Sequence, residues 1–268
     1  MFEDELERHD RLAANLQRAL VVDPHPPAAR AVAELLQELT GCQIWTARDE
    51  ALALPLAGQI TPHLILAARR PQFDGAALIR TLRRSDAACR QAPAIVYGPD
   101  ATAAALVASR DAGAHEFVRL PVTRSALGRH LESAVLRPRE WVEGISYVGP
   151  DRRRFNCGDY DGALRRRIEH AATREEARIV QAIRIVRAAL AAMESDPQQA
   201  LRAMRAQAET LRAIAETRDE PALRTQAEAL TRKLATASPR HLRVARIEPL
   251  VAPLLAYAPN DLLARKAA

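Results

Sequence analysis

The spacing of apolar positions changes its period twice along this chain. Residues 2–18 keep three-and-four steps, with Phe2, Leu6, Ala13 and Leu16 on one face and His9 as the polar interruption, which predicts an amphipathic helix. From Ala19 short apolar runs alternate with helical patterns. Strands are predicted at Ala19–Val22, Cys42–Ala47, His63–Leu66, Pro93–Tyr97 and Glu116–Leu120. Helices follow them to about Leu39 and over 49–58, 75–86, 101–112 and 123–136. This alternation predicts an α/β doubly wound, five-stranded parallel sheet. Arg137-Pro138 breaks the pattern, and 138–158, with Tyr147-Val-Gly-Pro-Asp-Arg-Arg-Arg154, reads as an exposed basic linker. The rest is helical. A long helix over 159–194 carries the heptad-like stripe Ile168, Ala172, Glu175, Ile179, Ile183, Val186, Leu190 and Met193. Ser195-Asp196-Pro197 caps and restarts a second helix (Leu201, Met204, Ala208, Leu211, Ala215). A third carries Leu223, Ala227, Leu230 and Leu234, and a fourth centres on Ile247–Leu255. Single apolar stripes joined by short turns predict an all-α antiparallel bundle. The chain thus divides into a helix at 1–18, a sheet domain at 19–137, a linker at 138–158 and a bundle at 159–268.

Composition narrows the class. No apolar run is long enough for a membrane span, and the start, Met-Phe-Glu-Asp-Glu, is acidic where a secretory signal is basic. Cys42, Cys89 and Cys157 are too few and too scattered for a disulfide framework or a zinc site, which fits a reducing cytoplasm. Charge is uneven: residues 1–150 hold 17 Lys+Arg against 18 Asp+Glu, and residues 151–268 hold 22 against 15. Nearly all the positive charge is arginine, since Lys233 and Lys266 are the only lysines. This fits either solvated helix faces or a basic surface for nucleic acid or an acidic partner.

The third strand, closed by Pro71, Asp74 and Gly75, organises the sheet domain, and Asp74 is placed to cap the helix opening at Ala76. Chemistry in an open α/β sheet gathers at the carboxyl ends of its strands. Here Ala67 stands at that place. The strand order, Pro71…Asp74-Gly75, Gly113-Ala114 before the fifth strand and Pro121 after it resemble the receiver domain of two-component response regulators, a flavodoxin/CheY-like fold, over about residues 19–136. That family holds Mg²⁺ with an acidic pair after strand one and is phosphorylated on an aspartate after strand three. A Thr or Ser after strand four and a Lys after strand five contact the phosphoryl group. The chemistry needs oxygen ligands for the metal, a carboxylate nucleophile and fixed positive charge.

Position by position, the resemblance implies a degenerate pocket. Asp23 matches the first acid, Pro24 the second, Ala67 the acceptor, Gly98 the Thr/Ser and Leu120 the lysine. Shifting by one residue restores nothing, because Leu66 and Ala68 are equally inert, and Arg119 replaces the lysine only if its strand slips. The expectation is a pseudo-receiver that takes no phosphoryl group, Mg²⁺ or other cofactor. The family's partner and dimer face corresponds to about 101–136, with Phe117 and Arg119 at its centre.

In the bundle, Ala208-Glu-Thr-Leu-Arg-Ala213 is similar to the histidine phosphotransfer pattern, with Glu209 at the place of the histidine and Arg212 at that of the lysine. Any Ala/Leu-rich helix pair also fits it. His170 beside Glu169 reads as a solvent-facing helix histidine. Arg152, Arg153 and Arg154 could present guanidinium forks to phosphate, but the Asp-x-Ser-x-x-Gly strand of arginine-rich cyclic-dinucleotide sites is missing. No helix-turn-helix signature occurs. The sequence therefore points to a cytoplasmic, non-enzymatic signalling adaptor. Its partners would be a histidine kinase, a phosphotransfer protein or another regulator, with a homodimer as a further option. The alternative is a nucleic-acid or phosphate-ligand binder using Arg152–Arg154 and Arg165–Arg167.

Overall fold

The computed structural model describes residues 2–152, 155–156 and 171–257. The chain forms two units, one of residues 1–142 with 147–162 and one of 143–146 with 163–268. In the first, α1 (Phe2–Asn15) leads into β1 (Arg18–Val22), α2 (Pro26–Thr40), β2 (Gln43–Ala47) and α3 (Glu50–Ile60). Then come β3 (Leu64–Arg70), β4 (Phe73–Asp74), α4 (Gly75–Arg84), β5 (Ala94–Gly98), α5 (Ala103–Asp111), β6 (Glu116–Arg119) and α6 (Arg124–Leu131), which continues as a π-turn over Glu132–Leu136. The sheet order is β2-β1-β3-β5-β6, all parallel, with β4 folded back antiparallel on β3.

Alternate strand residues build two cores, one on each face of the sheet. Ala19, Val21, Leu64, Leu66, Ala68, Ile95, Tyr97 and Val118 pack with α1, α2 and α6. Leu20, Val22, Ile65, Ala67, Val96 and Phe117 pack under α3, α4 and α5. Burial on both faces explains why these strands read as continuous apolar runs. The helices begin where polar side chains take up free amides: Asp49 accepts from Leu52, Thr102 from Ala105 and Thr123 from Ala126. Among the described side chains of α1 the buried one is Leu12 rather than Ala13, and the helix ends at Asn15 rather than 18. The side chains of Phe2 and Leu6 lie outside the described residues.

The third strand is longer than its apolar run. Pro71-Gln72 turns the chain so that Arg69 pairs with Asp74 and Arg70 with Phe73, carrying β3 four residues past Leu66. The expected cap holds: Asp74 Oδ1 accepts from the Ala76 amide at 3.1 Å. Gly75 is required here, because a Cβ on it would lie 2.4 Å from the Ala68 carbonyl oxygen and 2.8 Å from Ala67 Cβ.

Segment 138–158 is not an exposed linker throughout. β7 (Trp141–Glu143) and β8 (Val148–Pro150) form a two-stranded sheet, and Tyr147 to Pro150 are buried.

The second unit contains α7 (Ala171–Ala191), α8 (Pro197–Thr217), α9 (Pro221–Ala235) and α10 (Val244–Leu255). Asp196 caps α8, accepting from the Gln199 amide at 3.1 Å. Ile179, Ile183, Val186 and Met193 of the heptad-like stripe lie in one core with Leu201, Met204, Leu211, Leu223, Leu230, Ile247 and Leu254. Those four stripe positions are core. Ile168, Arg165–Arg167 and His170, and the side chain of Ala172, lie outside the described residues.

Candidate functional site

At the carboxyl end of β1, Asp23 is held on every side. Its amide donates to the Ala47 carbonyl (3.0 Å), and its side chain has no solvent exposure. Arg70 Nη2 donates to Oδ2 at 2.9 Å and Nε to Oδ1 at 3.4 Å. The Tyr97 hydroxyl donates to Oδ2 at 3.0 Å, and the His25 amide to Oδ1 at 2.9 Å. These donors use the lone-pair sites that a carboxylate offers. The Asp23 hydrogen bond holds the Arg70 guanidinium above its usual pKa. Burial, then the Asp23 charge, raises Tyr97 well above the usual phenol range, so it stays a donor. Pro24 supplies no second acid, and a guanidinium occupies the coordination sphere that a divalent ion would need. Among the described residues no group of three or more His, Cys, Asp or Glu side chains gathers to hold a metal.

Ala67 does not stand at a strand end. It lies inside the sheet in a row Ala47–Val22–Ala67–Val96–Phe117, fully buried. Gly98 leaves room for the longer β3: a Cβ on it would sit 3.0 Å from the Arg69 carbonyl oxygen and 3.3 Å from Arg69 Cβ. Leu120 donates its amide to the Gly98 carbonyl at 2.9 Å, and its half-buried side chain joins the apolar core on the α1 side. β6 shows no slip, since Arg119 pairs with Gly98 and its Nε donates to the Pro99 carbonyl at 3.3 Å. The structure therefore gathers Asp23, Gly98 and Leu120 around the end of β3, where they form a closed salt bridge and apolar packing.

Within the expected interaction face, the β6 edge is covered by the chain itself, while Val107 on α5 and Arg124 on α6 stay exposed. Phe117 is only 2% exposed and belongs to the core, which removes its side chain from that surface. The outer edge of β6 is capped: the Phe117 amide donates to Asn156 Oδ1 at 2.9 Å, and the Asn156 amide donates to the His115 carbonyl at 3.1 Å. Arg139 Nη1 adds a bond to the same carbonyl at 2.7 Å, while Nη2 pairs with Glu116 Oε1. Glu116 also takes the His130 ring at 3.2 Å and the Ser133 hydroxyl at 2.8 Å. Burial pushes the Glu116 carboxyl up, but His130, Arg139 and Ser133 together outweigh it and leave the pKa lowered. Arg152 is already engaged, 3.3 Å from Asp111 Oδ1 and 4.6 Å over the Tyr147 ring. Arg153 and Arg154 lie outside the described residues.

Sequence reasoning missed two arginines. Arg70 directly follows the third apolar run, beside the strand that ends at Asp23; a lone buried acid needs a partner, and this was the signal. Arg83 is 1% exposed; its Nε and Nη2 donate to the Gly113 carbonyl at 3.1 and 3.0 Å and its Nη1 to that of Ala92 at 2.8 Å. It also lies 5.2 Å from the Trp141 ring. Its spacing from Ala76 and Ile79 on α4 places it on the buried side, which the charge had masked.

In the bundle, Glu209 is exposed, and Arg212 bridges it at 2.9 Å and Glu216 at 2.6 Å. These are ordinary helix-surface ion pairs at three- and four-residue spacing.

A parallel sheet ordered β2-β1-β3-β5-β6 with helices on both faces has the CheY-like connectivity. The first unit has the receiver fold. No family model and no curated protein matches the chain. Among solved structures it is similar to the signal receiver domain of a signal transduction histidine kinase from Syntrophus aciditrophicus (27% identity, 46% of this chain and 96% of that one, TM-score 0.40). It is also similar to a response regulator from Desulfuromonas acetoxidans (26%, 43% and 94%, TM-score 0.38). A third is the receiver domain of a sensor histidine kinase from Pseudomonas aeruginosa with magnesium in its active site cleft (24%, 44% and 96%, TM-score 0.40). No described helix is long and apolar enough to cross a membrane.

Proposed function

We propose that this protein is a non-catalytic adaptor in two-component signalling, a pseudo-receiver that works in the cytoplasm by binding other proteins without being phosphorylated. The observation that carries this reading is the saturation of Asp23 by Arg70, Tyr97 and the His25 amide, opposite an alanine where a receiver needs its nucleophile. Its partners would be a histidine kinase, a phosphotransfer protein or another regulator. The bundle, with Glu209 and Arg212 tied in surface ion pairs, would add binding surface rather than phosphotransfer.

Acetyl phosphate with Mg²⁺ tests the reading by intact-protein mass spectrometry. The wild-type chain and Ala67→Asp are both expected to stay unmodified, because restoring the carboxylate leaves Arg70 on Asp23. A stoichiometric adduct of about 80 Da on the wild-type first unit would overturn it.

A further inference from the structure

Positive charge gathers at one end of the bundle, where α9 turns into α10. From Ala229 to Ile247 the chain holds five Lys and Arg residues and no Asp or Glu. All five, Arg232, Lys233, Arg240, Arg243 and Arg246, are exposed. Among the described residues none of them pairs with a carboxylate, whereas Arg212 and Arg218, toward the other end of α8, do. Glu228 lies a turn below Arg232 on α9, and Glu248, two residues past Arg246, falls on the opposite flank of α10. Of the acids between α7 and α8, Asp196 caps α8 and Glu194 is exposed. The turn that carries the cations is fixed in place. Arg205 of α8 donates Nε and Nη2 to the Leu234 carbonyl at 3.0 and 2.8 Å, and Nη2 to that of Ala237 at 2.8 Å. Leu242 is buried in one core with Leu234 and Ile247. Arg205 is itself exposed, and the partners it uses are neutral carbonyls, so its charge adds to the group.

Two of these cations oppose the helix they sit on. Arg243 is the N-cap residue of α10 and Arg246 follows in its first turn, with no acid there and no side-chain cap. That end of a helix carries the positive pole of its dipole, so cations are unfavourable on it. Arg232 and Lys233, in the last turn of α9, have the favourable sign. The helix dipoles therefore account for that pair and leave Arg240, Arg243 and Arg246 without a local reason. We infer that this turn binds the phosphate backbone of a nucleic-acid duplex without regard to base sequence. Guanidinium forks match phosphate oxygens, and uncompensated cations on one surface are the footprint of backbone binding. Other anionic partners ask for more than charge. A protein interface is anchored by buried aromatic and apolar side chains, and a lipid surface takes up an apolar helix face. The large hydrophobic residues that stand out as exposed among those described, Leu52 and Val107, both lie in the first unit. A single strand is held by bases stacked on aromatic rings. Tyr257 is the one aromatic residue in 163–268. The site adds a second kind of partner to the adaptor and does not depend on the state of the receiver pocket.

Fluorescence anisotropy of the full chain tests this with a labelled DNA duplex of arbitrary sequence, the same duplex as RNA, and one DNA strand alone. The wild type should bind duplex more tightly than single strand, and the tighter of the two duplexes identifies the source. With five phosphate contacts, log Kobs should fall against log salt with a slope of about −4.5, a result that needs no variant. Arg240→Glu/Arg243→Glu should raise Kd about tenfold or more and make the slope shallower. Arg178→Glu/Arg224→Glu makes the same charge change on exposed residues toward the other end of the bundle. Arg224 is about 12 Å along α9 from Arg232, beyond a Debye length of about 10 Å, so this variant should stay within about threefold of wild type. Failure of the wild type to bind either duplex at about 50 mM salt, or equal losses in the two variants, overturns the inference. So does a single strand bound as tightly as the duplex, or binding to phosphatidylserine vesicles in place of it. The phosphorylation assay reads none of these outcomes, so the two proposals fail separately.

Discussion

Arg70 places its guanidinium 2.9 Å from the carboxylate of Asp23, which has no exposed side-chain surface. A buried carboxylate needs a compensating charge, and in this fold it comes from the neighbouring strand. Forty-seven residues separate the two in sequence. The pair became possible because β3 runs past Ala67 far enough to bring Arg70 level with the end of β1.

Arg70→Met should therefore lower stability by about 3 kcal/mol, the cost of leaving one member of a buried pair uncompensated. The removed charge, rather than lost packing, is the expected cause. Asp23→Asn in the same chain keeps Oδ1 as acceptor for the His25 amide, turns an Nδ2–H toward the Tyr97 hydroxyl, which can accept it, and should regain about 2 kcal/mol of the loss. Urea unfolding of the first unit measures both. Equal losses in the single and the double variant would mean that the Arg70 stem, not the ion pair, carries the energy.

His115 gives the unit an acid limit. Its Nδ1 accepts from the Ala94 amide at 3.2 Å, and burial first, then the Arg83 and Arg139 charges, holds its pKa well below 6.5. In the unfolded chain it protonates near 6.5, so below that pH the unfolded state binds more protons. The stability from neutral His115 is full above pH 6.5 and is lost as pH falls. Between about pH 6.5 and 5 the loss should approach 1.4 kcal/mol per pH unit. His63, lowered by burial and then by Arg18, contributes in the same direction. The test is thus a comparison: His115→Asn keeps an acceptor for Ala94 but cannot titrate, and its stability curve should be flatter than that of the wild type. Parallel curves would show that His115 does not set the slope.

The parts of this fold that were legible in the sequence are those specified by local pattern. Leu64–Leu66, Ile95–Val96 and Asp74 before Ala76 declare buried strands and a cap within a few residues. The core positions of α8 and α9 follow from their stripes in the same way. The strand extension Ala67–Arg70 was not legible, because two alanines and two arginines carry no strand pattern; the antiparallel pairing with Phe73-Asp74 makes it a strand. The residues at the receiver positions could be read one by one, but the contacts of Asp23 with Arg70 and Tyr97 join residues far apart in the chain. The Tyr147 box misled for a physical reason. Val-Gly-Pro reads as a turn, yet Gly149 is there for close approach: a Cβ on it would lie 2.7 Å from Gly113 Cα.

That approach depends on Arg83, which ties α4 to the Gly113, Arg90 and Ala92 carbonyls. Burial lowers its pKa to about 10, so at neutral pH it is still a cation satisfied by carbonyl oxygens and the Trp141 face. Arg83→Lys keeps the charge but loses the planar fork, and one ammonium cannot serve acceptors spread over that width. Loss of two charge-assisted bonds should cost about 3 kcal/mol. The more telling readout is local. Gly113 contacts the box on one side and leads into β6 on the other, so loosening it should unseat Asn156 from the Phe117 amide. Hydrogen exchange at Phe117 should then quicken in Arg83→Lys, while the amides of α8 and α9 in the second unit keep wild-type rates. If Phe117 stayed protected while global stability fell, Arg83 would be a core-packing residue with no part in holding the box on the β6 edge.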